Sequence, residues 1–260
     1  MSHTVRSLRV GTLIIGSVET PVWAWLVRGG ERTILVDAGT PPAAMVESRW
    51  KLECPRGGPE ALEEELAACG VTFADIEVVV PTHLHYDHAW SLSLFEEAEV
   101  WTQHAEIVHA IDPTPTHRAW YPRNVISDLV ARRRPDRLRI LHGDATVEPG
   151  VDLLFTPGHT PGLMSVVVET EVGRVGLPSD GGETYANWHP ADPRANARPQ
   201  GFLVDSFLPP GISTESIGTC LASQARVREA ADIVVPSHDL RIPIDMPEQW
   251  WDVPPETAGA

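Results

Sequence analysis

The sequence predicts a domain that mixes β-strands with α-helices. Short runs of apolar and β-branched residues, each followed by turn residues, recur along the chain and are typical of strands. Segments bounded by helix start and stop signals lie between several of these runs. A chain of 260 residues can bury a substantial core without disulfides, and no break in composition marks a boundary. We therefore expect one domain that spans residues 1–260.

The predicted strands are apolar runs that stop at turn-forming residues. The run IEVVV shows the pattern clearly, because it ends at Pro81, which lacks the backbone N–H that a strand in a sheet needs. In chain order, strands are expected at residues 8–15, 22–27, 33–36, 76–80, 151–155, 165–168, 174–177 and 233–235.

Helices are predicted where a capping or a terminating residue bounds a segment. Residues 58–69 are followed by Gly70, and residues 214–230 begin with a Ser/Thr cap before Glu215. Two further helices are expected at residues 106–111 and 125–134.

Two segments, residues 112–135 and 186–212, are rich in proline, aromatic residues and arginine. Their aromatic side chains favour burial, so we expect ordered loops that form the walls of a pocket. Trp188 and Tyr121 are our candidates for substrate contacts from these walls. Residues 112–135 could equally move as a lid or help to bury the interface of a homo-oligomer.

The composition argues against several classes of function. The formal net charge of −16 repels polyanions, so no nucleic-acid partner is expected. No run of 18 apolar residues occurs, and the N-terminus lacks a signal-peptide pattern, so we expect a cytoplasmic protein without a membrane partner. The three cysteines are far apart and form no CxxC, which predicts neither a disulfide framework nor a thiolate zinc site.

The segment THLHYDH, residues 82–88, is the strongest chemical signal in the sequence. It places three histidines and an aspartate directly after a predicted strand. On an extended segment His83 and His85 point to the same side and can bind one metal ion. If the chain then turns into a helix, Asp87 and His88 lie beside a second ion. The motif therefore predicts the start of a two-metal site.

Further candidate ligands follow other predicted strands. His159 lies in TPGHTPG, Asp180 in VGLPSD and His238 in IVVPSHD, and each comes directly after an apolar run. A single polar residue after a strand is a common turn former, but four such strand ends reinforce one another. The other histidines are expected to be structural or exposed: His3, His104, His109, His117, His142 and His189.

The order of these motifs, HxHxDH, a GHTPG histidine, an aspartate and a last histidine, resembles the metallo-β-lactamase superfamily over about residues 8–240. The resemblance implies an α+β fold, a four-layer αββα sandwich with the site at one edge of two packed sheets. It implies that Asp37, in TILVDAG, supports the ligands from behind. It also implies a set of seven ligands: His83, His85 and His159 for the first ion, Asp87, His88 and His238 for the second, and Asp180 as the bridge.

Two divalent ions at such a site would supply the nucleophile. Together they lower the pKa of a water that bridges them, and one ion polarises the carbonyl under attack. No G-x-S-x-G motif is present to supply a serine nucleophile. A ligand set without thiolate suits two Zn²⁺ ions, with Mn²⁺ or Fe²⁺ as alternatives. We expect Asp87 or Asp180 to pass the proton to the leaving group.

Within the superfamily, the stretches VVVPTHLHYDHAW, LLFTPGHTPGLMSVVVET and DIVVPSHD most resemble the N-acyl homoserine lactonase branch. The resemblance implies a quorum-quenching enzyme for a small-molecule substrate, in which a metal-bridging hydroxide opens an acyl homoserine lactone or an aromatic lactone. Members of the branch often carry a tyrosine three residues after the bridging aspartate, where it hydrogen-bonds the substrate carbonyl. Glu183 stands there, and a carboxylate donates no hydrogen bond unless it is protonated. Tyr185 is our candidate for the tyrosine's role, with Tyr86 and Tyr121 as alternatives.

Three other functions stay open at this stage. A thioesterase of the glyoxalase type carries a similar motif, although it needs cationic residues for glutathione and the sequence after His238 is acidic. A cyclic amide hydrolase would use the same site. A metal-binding ligand sensor without turnover would also keep these ligands, and Glu183 is the residue that favours it.

Overall fold

The computed structural model describes residues 2–132, 136–189 and 207–242. The first of its two sheets has seven strands within these residues. In chain order these are β1 (Thr4–Ile15), β2 (Val18–Arg28), β3 (Ile34–Val36), β4 (Glu53–Arg56), β5 (Val78–Val80), β6 (Glu99–Gln103) and β7 (Leu138–Leu141). Their order across the sheet is β4-β1-β2-β3-β5-β6-β7. The pairs from β4 to β3 are antiparallel, and those from β3 to β7 are parallel. The carboxyl ends of β3 and β5 therefore open at the same edge.

Five strands form the second sheet within the described residues. They are β8 (Ala145–Glu148), β9 (Val151–Phe155), β10 (Met164–Thr170), β11 (Gly173–Leu177) and β12 (Ile233–Val234). Their order across the sheet is β12-β11-β10-β9-β8. Only the pair of β11 and β12 is parallel in this part of the chain. That pair brings the residues after β11 and β12 to one edge.

The helices differ in length and in where they pack. They are α1 (Ala43–Trp50), α2 (Pro59–Ala68), α3 (Tyr86–Ala89), α4 (His104–Ile111), α5 (Arg123–Ala131), α6 (Tyr185–Trp188) and α7 (Ile217–Ala230). Among the described residues, none of these helices combines the length and the hydrophobicity needed to cross a bilayer.

The first sheet separates two hydrophobic cores, and alternate residues of β2 belong to each. Ala24 and Leu26 pack in a core with buried side chains of α1, α2 and α5. Trp23 and Trp25 pack in the other core, with the inward side chains of β9, β10 and β11. Because successive side chains of a strand point to opposite faces, helices cover one face of this sheet and the second sheet covers the other.

Helix α7 covers the outer face of the second sheet. Val227 and Ala231 of this helix region pack with Val234 of β12 in a third cluster. A Cβ atom at Gly176 of β11 would lie 2.8 Å from the Ala231 Cβ, so this close approach requires glycine. The layers are therefore helix, sheet, sheet and helix, and the predicted α+β sandwich is confirmed.

The predicted elements occur, with shifted ends, but several others were missed. Strands β4 and β7 each bury a single residue, so they lack the apolar run that marks a strand in sequence. Helix α7 begins at Ile217, three residues after the predicted start. Its missing turn is explained by Thr214 and Glu215, whose N–H groups donate to the carbonyls of the His159 loop at 3.1 Å each. Residues 133–135 and 190–206 of the two predicted wall segments lie outside the described residues.

Candidate metal centre

The candidate ligands come from the ends of strands in both sheets. The HxHxDH segment follows β5 of the first sheet, and its chain turns into α3 at Tyr86, which separates His83 and His85 from Asp87 and His88. His159, Asp180 and His238 follow β9, β11 and β12 of the second sheet. The site is therefore built across the edge where the two sheets meet.

Three histidine nitrogens converge in the first donor group. The Nε2 atom of His83 lies 3.0 Å from Nδ1 of His85, which lies 3.1 Å from Nε2 of His159. All three rings are buried. One ligand atom from each lies within 4.8 Å of the other two, which is the spacing of donors around one ion.

The second nitrogen of each of these rings has a partner on the far side. The Nδ1–H of His159 donates to the Ile212 carbonyl at 2.6 Å, and Nδ1 of His83 lies 3.2 Å from the Thr82 hydroxyl. A carbonyl accepts only, so the proton of His159 must sit on Nδ1 and its inward Nε2 is a lone pair. Inward lone pairs this close repel one another unless a cation lies between them. The first group therefore fits a metal ion.

Asp180 lies between the first donor group and a second one. Its Oδ2 is 3.5 Å from Nε2 of His159, whereas its Oδ1 is 3.3 Å from Nε2 of His88 and 3.1 Å from Nε2 of His238. Asp87 completes the second group, with its carboxylate 3.8 Å from Nε2 of His88. The two oxygens of Asp180 thus point to different donor groups, which is the arrangement a bridging carboxylate needs.

Asp37 holds the second group from behind. Nδ1–H of His88 donates to Asp37 Oδ2 at 2.8 Å, and the Thr82 N–H donates to Oδ1 at 2.8 Å. Asp37 is fully buried and has a φ of 63°, a left-handed conformation that is unusual for a residue with a side chain. The backbone strain is consistent with the role predicted for Asp37, because this carboxylate orients His88 and the turn before the motif together.

The electrostatics of the two groups differ. Burial, followed by the charge of neighbouring histidines, holds the pKa of His83 and of His85 well below the usual value. Both rings are therefore neutral, which is the form that binds a metal ion. Burial also lowers the pKa of His238, but the Asp180 carboxylate outweighs it and raises this pKa to about 9. Burial disfavours the charged form of Asp180, yet His88 and His238 hold its pKa well below the usual range. The second donor group therefore attracts positive charge more strongly than the first.

Glu106, for which no role was predicted from sequence, joins the loops that carry His83 and His159. Its carboxylate is fully buried and accepts four hydrogen bonds. The Leu84 N–H and the Tyr121 hydroxyl donate to Oε1 at 2.9 and 2.7 Å, while the Thr160 hydroxyl and the Gly162 N–H donate to Oε2 at 2.7 and 3.2 Å. Glu106 is the third residue of α4, which directly follows the missed strand β6. Its four donors lie in other segments of the chain, so no local sequence pattern marks its role.

His117 also lies in the site, although the sequence predicted only a structural or exposed histidine. It is buried, and its Nδ1 lies 3.2 Å from Nε2 of His85. Because the Nδ1 of His85 faces the first donor group, its Nε2–H is free to donate to His117. Burial, followed by the charge of His159, lowers the pKa of His117 to about 4, which keeps its ring neutral. His117 thus orients His85 from outside the donor group.

The candidate substrate residues are placed differently from one another. Glu183 lies beside His159 and Asp180, with one carboxylate oxygen within 4.8 Å of a donor atom of each. The Tyr121 ring is buried with its centroid 4.7 Å from that of His85, so it backs the first donor group.

Trp188 and Tyr185 have contacts of another kind. The Trp188 side chain is buried in the cluster beneath α7, and its Nε1–H donates to the Gly182 carbonyl at 2.9 Å. The Tyr185 ring packs against the core between the sheets, with the Arg241 guanidinium 5.1 Å from its centroid. Within the described residues, the Trp188 side chain thus packs beneath α7 and the Tyr185 ring against the core between the sheets.

Comparison with known proteins gives one consistent picture. A family model described as the metallo-beta-lactamase superfamily matches residues 18–238. An N-acyl homoserine lactonase of Bacillus thuringiensis is 33% identical over 189 residues, which cover 69% of this chain and 71% of that protein. An N-acyl homoserine lactonase of Agrobacterium fabrum is 29% identical over 203 residues, which cover 73% and 71%. A crystal structure of a B. thuringiensis AiiA variant with N-decanoyl-L-homoserine bound at its active site matches with a TM-score of 0.68 and 25% identity, over 92% of this chain and 95% of that one.

Proposed function

Because the chain belongs to the metallo-β-lactamase superfamily, we propose that it is a dinuclear metal-dependent hydrolase that opens the ester bond of a lactone ring. One observation carries the proposal: two donor groups meet at Asp180, whose two oxygens face different groups. A hydrolytic two-metal site needs this arrangement, since both ions must act on the same bond.

The ligand set is proposed residue by residue. His83, His85 and His159 would hold the first ion, Asp87, His88 and His238 the second, and Asp180 would bridge them. Imidazole and carboxylate donors without thiolate suit Zn²⁺, which is the ion that we propose, with Mn²⁺ or Fe²⁺ as the alternatives. When bound, the ion pair supplies a hydroxide near neutral pH and polarises the carbonyl.

The chain's own carboxylates would position and move protons. The Ser237 hydroxyl donates to Oδ1 of Asp180 at 2.8 Å, which fixes the orientation of the bridging carboxylate. The Asp87 side chain is 14% exposed, so it can face the second donor group and also reach the substrate. We assign to its carboxylate the transfer of a proton from the attacking water to the ring oxygen, which becomes the hydroxyl of the product as the C–O bond breaks. The product would be a hydroxy acid.

N-acyl homoserine lactones are the substrate class that we propose. Support comes from the two relatives, whose names give this activity and which align over more than two thirds of this chain. The first donor group has Tyr121 packed behind it. We propose that Tyr185 binds the substrate carbonyl, as the resemblance implies for a tyrosine near this position, and that Tyr121 and Trp188 contact the substrate.

A substrate panel tests this function. Wild-type protein loaded with Zn²⁺ should hydrolyse acyl homoserine lactones faster than an aromatic lactone, a thioester, a cyclic amide, a β-lactam or a phosphodiester. Asp180→Asn should lose lactonase activity by roughly 100-fold or more, because the neutral amide cannot bridge two cations. Glu63→Gln, at an exposed position of α2, is the matched control and should keep full activity. A loaded wild-type protein that opens no lactone would overturn the proposal.

A further inference from the structure

Glu183 is where this chain departs from the lactonase branch, and its surroundings are those of a metal ligand. One oxygen of its carboxylate lies within 4.8 Å of a ring nitrogen of His159 and of an oxygen of Asp180, and those two atoms are equally close to each other. His159 belongs to the first donor group. Glu183 therefore stands on the side of the site where the first ion would lie.

The backbone holds Glu183 in this place. The His238 N–H donates to the Glu183 carbonyl at 2.8 Å, so one residue of the second donor group anchors it directly. The preceding carbonyl, of Gly182, accepts the Trp188 Nε1–H at 2.9 Å. A Cβ atom at Gly182 would lie 2.5 Å from that nitrogen, so only glycine fits there. Hydrogen bonds to two successive carbonyls thus hold the backbone at this turn, and with it the direction of the Glu183 side chain.

We propose that Glu183 is an additional ligand of the first metal ion, beside His83, His85 and His159. The inference rests on the dinuclear site proposed above. A carboxylate donates no hydrogen bond unless it is protonated, so Glu183 is a poor substitute for the carbonyl-binding tyrosine that the resemblance implies, whereas its oxygens are good ligands for Zn²⁺ or Mn²⁺. A third carboxylate also lowers the net positive charge of the loaded site, which strengthens retention of the ion.

Metal affinity tests this role without using turnover. Wild type, Glu183→Gln, Glu183→Tyr and the exposed control Glu63→Gln would be loaded with Zn²⁺ and titrated with a chelator. We expect Glu183→Gln and Glu183→Tyr to release one of two ions with a Kd raised by about 10-fold or more, while the other ion keeps its wild-type Kd. Substitution with Co²⁺ should show the same loss as a changed visible spectrum for one ion only, because that spectrum depends on coordination number. Far-UV circular dichroism checks that each variant is folded.

The outcomes separate this inference from the proposed function. If Glu183→Gln and Glu183→Tyr both retain two ions with wild-type affinity and an unchanged Co²⁺ spectrum, Glu183 is not a ligand, whatever the activity of these variants. A raised KM with unchanged metal affinity would likewise overturn the inference and assign Glu183 to substrate binding. If wild type binds two ions but opens no lactone, the proposed function fails, while the effect of Glu183 on ion affinity is still measured.

Discussion

At the scale of single residues, the candidate site divides into donors and the residues that hold them. The five histidines and two aspartates of the donor groups could be found from sequence because each follows an apolar run within a short motif. Glu106 and His117 could not, because their roles depend on contacts between distant segments. His117 meets His85 across 32 positions of the chain, and no local pattern encodes that contact.

Glu106 offers the sharpest residue-scale prediction. In Glu106→Gln an amide NH₂ replaces one acceptor oxygen, so one buried backbone N–H faces another donor, while one hydroxyl must turn to accept from the amide. We expect the free energy of unfolding to fall by about 1–3 kcal/mol, because a buried donor left without an acceptor costs about that much. Denaturant unfolding of the metal-free protein measures the change.

The matched control for this prediction is again Glu63→Gln. Glu63 is exposed on α2, and a surface substitution of this kind changes the free energy of unfolding by about 0.5 kcal/mol or less. If Glu106→Gln unfolds at the same denaturant concentration as Glu63→Gln, the carboxylate does not join the two loops.

At the scale of elements, strand ends explain why the site was predictable. Apolar runs with turn residues after them predicted β5, β9 and β11, and candidate ligands follow each of these strands. What sequence lacked was the close packing between elements. Residues of β6 are buried although Thr102 and Gln103 are polar, so the strand and the start of α4 behind it were missed.

The loop after His159 illustrates this packing and gives an element-scale prediction. A Cβ atom at Gly162 would lie 2.2 Å from the Glu106 nitrogen, so the loop rests directly on the backbone at the start of α4. Gly162→Ala should force the two apart, destabilise the fold by about 1–3 kcal/mol and weaken binding of the first ion. Thermal unfolding with and without Zn²⁺ measures both effects.

A glycine with open space is the control for Gly162. The nearest heavy atom to a Cβ at Gly218 of α7 is the Ser216 hydroxyl at 3.6 Å, an ordinary contact. Gly218→Ala should be neutral or stabilise the protein by up to about 1 kcal/mol, because alanine favours a helix. Equal behaviour of the two alanine variants would show that the loop does not depend on this close approach.

At the scale of the whole molecule, the two donor groups join the two sheets. Asp87 and His88 leave the first sheet, whereas Asp180 and His238 leave the second, so each proposed ion would link both. The layered fold itself could be predicted from the motif order, but the packing of α7 could not. It depends on Gly176 of β11, whose role is visible only when Ala231 lies against it.

The most direct test of a two-metal lactonase is the rate of lactone hydrolysis measured against the number of ions bound per chain. Metal-free protein would be titrated with Zn²⁺, and acid release from an N-acyl homoserine lactone and metal content would be measured on the same samples. We expect a rate that is negligible without metal and reaches its plateau at two ions per chain. Full activity in the metal-free protein, or no ring opening with two ions bound, would contradict it.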